Sequence, residues 1–208
     1  TRIQEGASKD IVKKIRAEKD KDNRNILKQK LPAICFSGKF LKRNDNSIKE
    51  HSGFICLDFD GYKSNRDLLQ EKERLSKDKY VYSVFISPSG NGLKVLVKIP
   101  PITEDHKNYF VSLQNYFDSD YFDKSCKNVS RVCYESYDPL IYINAQSSLW
   151  DKIIEQQYTE VHRHNDIPTI PVTDENKIVE ILVKWWTKKF PMNEGERNNN
   201  AYVLAAAF

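Results

Sequence analysis

Asp58 and Asp60 stand two residues apart at the end of an apolar run, Phe54-Ile55-Cys56-Leu57-Asp58-Phe59-Asp60, and Gly61 follows them. Side chains two apart on a strand share a face, so both carboxylates project one way and Leu57 and Phe59 the other. Carboxylates held this close repel each other unless positive charge lies between them, and a divalent ion is the usual solution. Paired ions at such a site activate an attacking hydroxyl and stabilise a leaving pyrophosphate in nucleotidyl transfer, chemistry that normally takes a third carboxylate. A D-x-D pair by itself is equally compatible with a strand end whose acids face solvent.

A second group of residues suits phosphate. Ser87-Pro88-Ser89-Gly90-Asn91-Gly92-Leu93-Lys94 is a turn cluster between two apolar runs. Glycines let backbone N–H groups approach a phosphate, and Lys94 adds a positive charge. The spacing is not that of a Walker A loop, which ends G-K-[ST] and opens a helix. An ordinary hairpin turn accounts for the glycines equally well.

The elements that must position these groups are legible in the hydrophobic spacing. Ser8 is placed to cap a helix carrying Ile11, Val12 and Ile15. Residues 31–36 read as a short strand, and 42–49 as a polar connection before the acidic strand. Ser64 is placed to cap a helix to about residue 77, with Leu68, Leu69 and Leu75 inward. Residues 80–86 and 93–99 form a predicted hairpin around the glycine turn. Thr103 is the expected cap of a helix bearing Tyr109, Phe110, Leu113 and Phe117, with short strands expected at 131–134 and 141–143. Pro168 and Pro171 mark a linker over 157–173, so that 1–156 form the core with its basic N-terminal segment and 174–208 a helical module.

The chain's 208 residues include 10 Phe, 11 Tyr and 3 Trp, enough aromatic surface for a packed core and against disorder. The net charge of +4 is compatible with nucleic-acid binding without arguing for it. A lysine-rich run before residue 31 reads first as a solvated helix face. Cys35, Cys56, Cys126 and Cys133 include no C-x-x-C pair, so buried free thiols are expected rather than structural zinc or disulfides. No long apolar stretch or signal-peptide pattern stands out, and the expectation is a soluble, cytoplasmic protein without membrane contact. The chain opens without Met and stops inside a helical stretch at 201–208, the pattern of an excised piece.

In order, these motifs resemble the archaeo-eukaryotic primase (primase-polymerase) superfamily, in particular the virulence-associated E N-terminal branch found in mobile elements and phages. The run ending Asp58-Phe59-Asp60 is similar to the family's apolar strand with D-x-D, and the 87–94 segment to its nucleotide-binding turn. Asp123-Lys124-Ser125-Cys126-Lys127-Asn128-Val129-Ser130-Arg131-Val132-Cys133-Tyr134 resembles the segment that holds the last metal-binding Asp and a following Arg. The resemblance implies an α+β fold with a mostly antiparallel, RRM-like sheet, helices on one face and a small C-terminal helical module. It implies that Asp58, Asp60 and Asp123 hold Mg2+ or Mn2+, with Asp138 the rival third carboxylate and Asp120 a weaker one. Ser87, Ser89, Gly90, Gly92, Lys94 and Arg131 would bind the nucleoside triphosphate. The implied function is primer synthesis or extension on single-stranded DNA in the replication of a mobile element, phage or bacterium, with a helicase domain or partner beyond this chain. Most of the superfamily has His where this chain has Lys94, which cannot act as a hydrogen-bond acceptor. That departure keeps a second reading open: a degenerate primase fold that only binds single-stranded DNA.

Leu57-Asp58-Phe59-Asp60-Gly61 also resembles the opening of a dehalogenase-type phosphatase, with a nucleophilic first Asp and an acid/base second Asp. Tyr62 departs from that pattern, and no later acidic pair completes it. Lys39 and Arg43 flank the acidic strand and are candidates for template phosphates. His162 and His164 fall in the expected linker, His51 and His106 have no evident partner, and Trp185, Trp186, Tyr80, Tyr82, Tyr134 and Tyr137 read first as packing residues.

Overall fold

The computed structural model describes residues 1–153 together with Lys177, Glu180, Val183 and Lys184, which are helical. The chain divides into two units, Thr1–Gln156 and Gln157–Phe208. The expected linker, His162, His164, Trp185 and Trp186 lie outside the described residues.

The first unit is α+β. Three short helices open it: α1 (Arg2–Glu5), α2 (Lys9–Ala17) and α3 (Lys21–Lys28). Val12 and Ile15 are the buried stripe of α2 and pack with Leu31. Ser8 precedes α2, but its hydroxyl donates to Glu135 instead of capping the helix. The basic residues after α2, expected as a polar stretch, form α3, capped by Asp20 accepting from the Asn23 N–H.

Next come β1 (Ala33–Ile34), β2 (Gly38–Phe40) and β3 (Ile48–His51). Residues 42–49, expected as a connection, include a 3-10 turn at Asp45–Ser47 and the first half of β3, which pairs antiparallel with β2. Gly38 is required there, because a Cβ would stand 2.3 Å from the Glu50 carbonyl oxygen.

The acidic strand is β4 (Phe54–Asp60), followed by α4 (Asn65–Ser76), β5 (Val81–Ile86), β6 (Gly92–Lys98) and α5 (His106–Phe117). Ser64 caps α4 as expected, its oxygen accepting from the Asp67 N–H. Leu68 and Leu75 face inward, whereas Leu69, expected inward, is 45% exposed. The residue sharing their stripe is Lys72, four after Leu68 and three before Leu75, and it is buried. α5 starts at His106, three residues after Thr103, and buries Tyr109, Phe110, Leu113 and Phe117 as expected.

β7 (Cys133–Tyr134) pairs with β1, and β8 (Tyr142–Ile143) with β5. The main sheet is antiparallel, in the order β4-β6-β5-β8. Residues 121–123 run antiparallel along the free side of β4, through Asp60 N–H to the Tyr121 carbonyl at 2.7 Å and Asp123 N–H to the Asp58 carbonyl at 2.8 Å. The order from β4 is therefore β-α-β-β-α-β.

Alternation along β4 divides the sheet into two faces. Ile55, Leu57 and Phe59 pack against α4 and α5 through Leu68, Leu75, Phe110 and Leu113. Each such fully buried side chain contributes roughly 1.5–3 kcal/mol. Cys56 lies on the other face with Phe85, Leu96 and Cys133, and Asp58 and Asp60 follow it there. No helix among the described residues is long and apolar enough to cross a membrane.

Candidate active site

Asp58 lies in the middle of three adjacent chain segments. Lys94 is its register partner on β6, and Asp123 flanks it on the other side through the 2.8 Å backbone bond. The Asp58 carboxylate is 2% exposed, and its Oδ2 receives Lys94 Nζ at 2.6 Å and Arg131 Nη2 at 2.9 Å. Burial, the largest single influence, disfavours the Lys94 charge, but the attraction and hydrogen bond of Asp58 together with the neighbouring Cys56 and Cys133 raise the ammonium's pKa overall. The same balance raises the pKa of Arg131. This carboxylate is thus neutralised by two cations within the fold.

The Asp123 carboxylate lies 3.9 Å from Arg131 Nη2 and accepts from the Cys126 thiol at 2.8 Å. Ser125 donates to its other oxygen from the N–H at 2.9 Å and from the hydroxyl at 2.7 Å. Burial pushes the Asp123 pKa up, but these hydrogen bonds more than offset it and hold the group below the usual range. One oxygen each from Asp58 and Asp123 and the Cys126 sulfur lie within 4.8 Å of one another, a spacing that one divalent ion can bridge. Asp60 is not in that group, although it was expected there.

Asp60 lies opposite Gly92 in the β4–β6 register. A Cβ on Gly92 would stand 2.1 Å from Asp60 Oδ1 and 2.8 Å from the Phe59 carbonyl oxygen. The visible role of Gly92 is therefore to make room for this carboxylate. Burial raises the Asp60 pKa; Lys94 opposes the shift, and the like charges of Asp58 and Asp123 reinforce it. Asp60 stands at the solvent-exposed end of β4, beside the Asp58–Asp123–Cys126 group and outside it.

A cavity of about 370 Å³ opens in front of Asp58 and Asp60, lined by these two, Ser87, Ser89, Lys94 and Arg131 among others but by neither Asp123 nor Cys126. It draws together both acids of the D-x-D pair, both serines of the turn, and Arg43. Ser87 closes the turn, its N–H donating to the Gly92 carbonyl at 2.8 Å, while its buried hydroxyl has no partner. A buried hydroxyl without a partner, beside Lys94 and Arg131, is a group suited to an anionic oxygen.

Two contributors were not singled out from the sequence. Lys28, from α3, lines the cavity, and burial lowers its pKa. Arg16, from α2, donates to the carbonyls of Ser87 at 3.2 Å and Tyr137 at 2.8 Å. Its side chain lies against Gly90, whose φ of +80° suits glycine and whose missing Cβ leaves Arg16 its place. Gly90 thus shapes the turn and does not line the cavity. In the sequence both cations are indistinguishable from the surrounding lysines.

Other candidates lie elsewhere. Asp138, the rival third carboxylate, accepts from Lys72 Nζ at 2.6 Å, the Ile86 N–H at 2.9 Å and the Leu140 N–H at 3.0 Å. Its oxygens tie α4 to the end of β5, and it takes no part in the acidic group. Asp120 joins neither that group nor the cavity lining. Lys39 is an exposed partner of Glu50 at 2.7 Å and does not line the cavity. His51 and His106 pair with each other at 3.0 Å.

With this geometry in place, a family model described as BT4734-like, N-terminal domain, matches residues 26–143. The chain belongs to that family. The BT4734-like region begins within α3, so it contains Lys28, the acidic strand, the glycine turn and Arg131, whereas Arg16 lies before it. No curated protein and no solved structure matches the chain.

Proposed function

We propose that this BT4734-like chain carries the core of a primase-polymerase, joining nucleotides on a single-stranded DNA template. The observation that carries the reading is the convergence of Asp58, Asp123 and Lys94 on three neighbouring segments beside a cavity that Asp60, Ser87 and Arg131 complete. The segment order 121–123, β4, β6, β5 supports an RRM-like sheet of the kind expected for such a core. Carboxylates next to serines and cations suit a substrate that brings phosphates and a divalent ion together.

In this reading Asp58 and Asp123, with Asp60 beside them, hold Mg2+ or Mn2+. Such an ion supplies charge stabilisation to the attacking hydroxyl and the leaving pyrophosphate. The Ser87 hydroxyl, Ser89, Lys28 and Lys94 receive phosphate oxygens. Arg131 moves from the carboxylates to the nucleotide. Arg43 meets the template backbone, and a helicase domain or partner works with this core.

One observation favours the binding-only reading. Asp58 already carries two cations, so the fold satisfies its charge without an added ion. The two readings separate on binding of a fluorescent nucleoside triphosphate with Mn2+ or with a chelator. The polymerase reading expects binding that needs Mn2+ and fails in Asp58→Ala/Asp60→Ala. Binding indifferent to both changes would leave only the DNA-binding role.

A further inference from the structure

We infer that Cys126 is a ligand of the metal centre and shifts its preference from Mg2+ toward thiophilic divalent ions of the zinc and cobalt class. The inference rests on the metal-binding reading of Asp58 and Asp123.

Cys126 differs from the other buried thiols of this fold. Cys56 and Cys133 belong to an apolar cluster with Phe85 and Leu96. Cys126 is 1% exposed, and its sulfur lies 2.8 Å from Asp123 Oδ2 and 3.5 Å from Asp58 Oδ2. The three side chains come from two places, Asp58 from β4 and Asp123 and Cys126 from the two ends of one turn after residue 122, and they meet within 4.8 Å. Asp123 is 28% exposed and gives the group a route to solvent. The adjoining cavity, which Asp58 also lines, contains the unpartnered hydroxyl of Ser87, itself 5% exposed. Asp58 is the residue common to that cavity and to the Asp123–Cys126 turn, so the unpartnered hydroxyl is a second polar group on the same carboxylate's open side.

Carboxylate oxygens alone suit Mg2+ and Mn2+, whereas a sulfur beside them favours Zn2+ and Co2+. When the sulfur–metal bond forms, the thiol proton passes to solvent, so binding releases one proton and strengthens as pH rises.

The test is a titration of the full chain with Co2+ alone, followed by near-ultraviolet absorbance. Wild type is expected to gain a sulfur-to-cobalt charge-transfer band that saturates near one equivalent. Cys126→Ser should lose the band and bind Co2+ at least tenfold more weakly, while Cys35→Ser keeps both. Co2+ bound to wild type without the band would overturn the inference and leave a carboxylate-only centre standing. A band that persists in Cys126→Ser would overturn it as well. If neither Co2+ nor Mn2+ binds to wild type, the metal reading itself fails. Absence of the band from wild type overturns the inference even if a variant does not fold.

Discussion

Asp58 and Lys94 face each other in register on β4 and β6, with Nζ 2.6 Å from Oδ2 and both side chains largely buried. Removing one partner of a buried ion pair strands the other's charge, at a typical cost of about 3–5 kcal/mol. Lys94→Met should lie near the lower end of that range, because Arg131 still reaches Asp58. Adding Asp58→Asn should restore part of the loss. Urea denaturation of the two single variants and the double variant checks both statements.

Arg131 is the cation that reaches both carboxylates, at 2.9 Å from Asp58 and 3.9 Å from Asp123. Without it their negative charge is less compensated. Arg131→Gln should bind Mn2+ several-fold more tightly than wild type when no nucleotide is present. The same variant should bind nucleoside triphosphate more weakly. Electron paramagnetic resonance of free Mn2+ reads the first effect, and fluorescence anisotropy the second. Weaker Mn2+ binding in the variant would contradict the assignment of Arg131 as a resident counter-ion.

Much of this frame is legible in the sequence because its signals are local. The apolar run into Asp58, the Ser64 cap and the alternation around the glycine turn depend on neighbours a few residues away. Asp123 is legible only through the resemblance, because residues 121–123 join β4 by long-range pairing with no apolar alternation of their own. The β2–β3 hairpin is short and polar and carries no hydrophobic period. Lys28 and Arg16 sit in a lysine-rich stretch where composition cannot separate a solvated cation from one turned into a cavity. Lys72 is hidden for the converse reason: its burial depends on Asp138, which lies 66 residues away.

The His51–His106 pair gives a pH dependence of defined sign. The Gly53 N–H donates to His51 Nδ1 at 3.0 Å, so His51 carries its proton on Nε2 and donates it to His106 Nδ1. Burial, with the neighbouring His51 adding to it, lowers the His106 pKa to about 4. An unfolded histidine titrates near 6.5, so between these values the unfolded chain binds the extra proton. The stability from neutral His106 is complete above about pH 6.5 and is lost as pH falls toward 4, by up to roughly 3 kcal/mol. His106→Asn, which keeps an acceptor for His51, should flatten that slope in denaturation curves measured from pH 7 to 4.

Gly92 has no room for a side chain beside Asp60. Gly92→Ala should push the carboxylate out of place or strain the β4–β6 pair, costing about 1–3 kcal/mol as overpacking does. Metal-dependent nucleotide binding should weaken by about tenfold or more, a tenfold loss being about 1.4 kcal/mol. Unchanged binding in a folded Gly92→Ala protein would remove Asp60 from the site.

The central claim is nucleotide joining at Asp58 and Asp123, with Asp60 beside them. Its most direct test is a template-dependent extension assay with all eight nucleotides and Mg2+ or Mn2+, run with and without a primer, on wild type and on Asp58→Ala/Asp60→Ala. The account predicts products that require the metal and the template and vanish in the double variant. Products that persist in the double variant, or DNA binding with no product from wild type under any of these conditions, would contradict it.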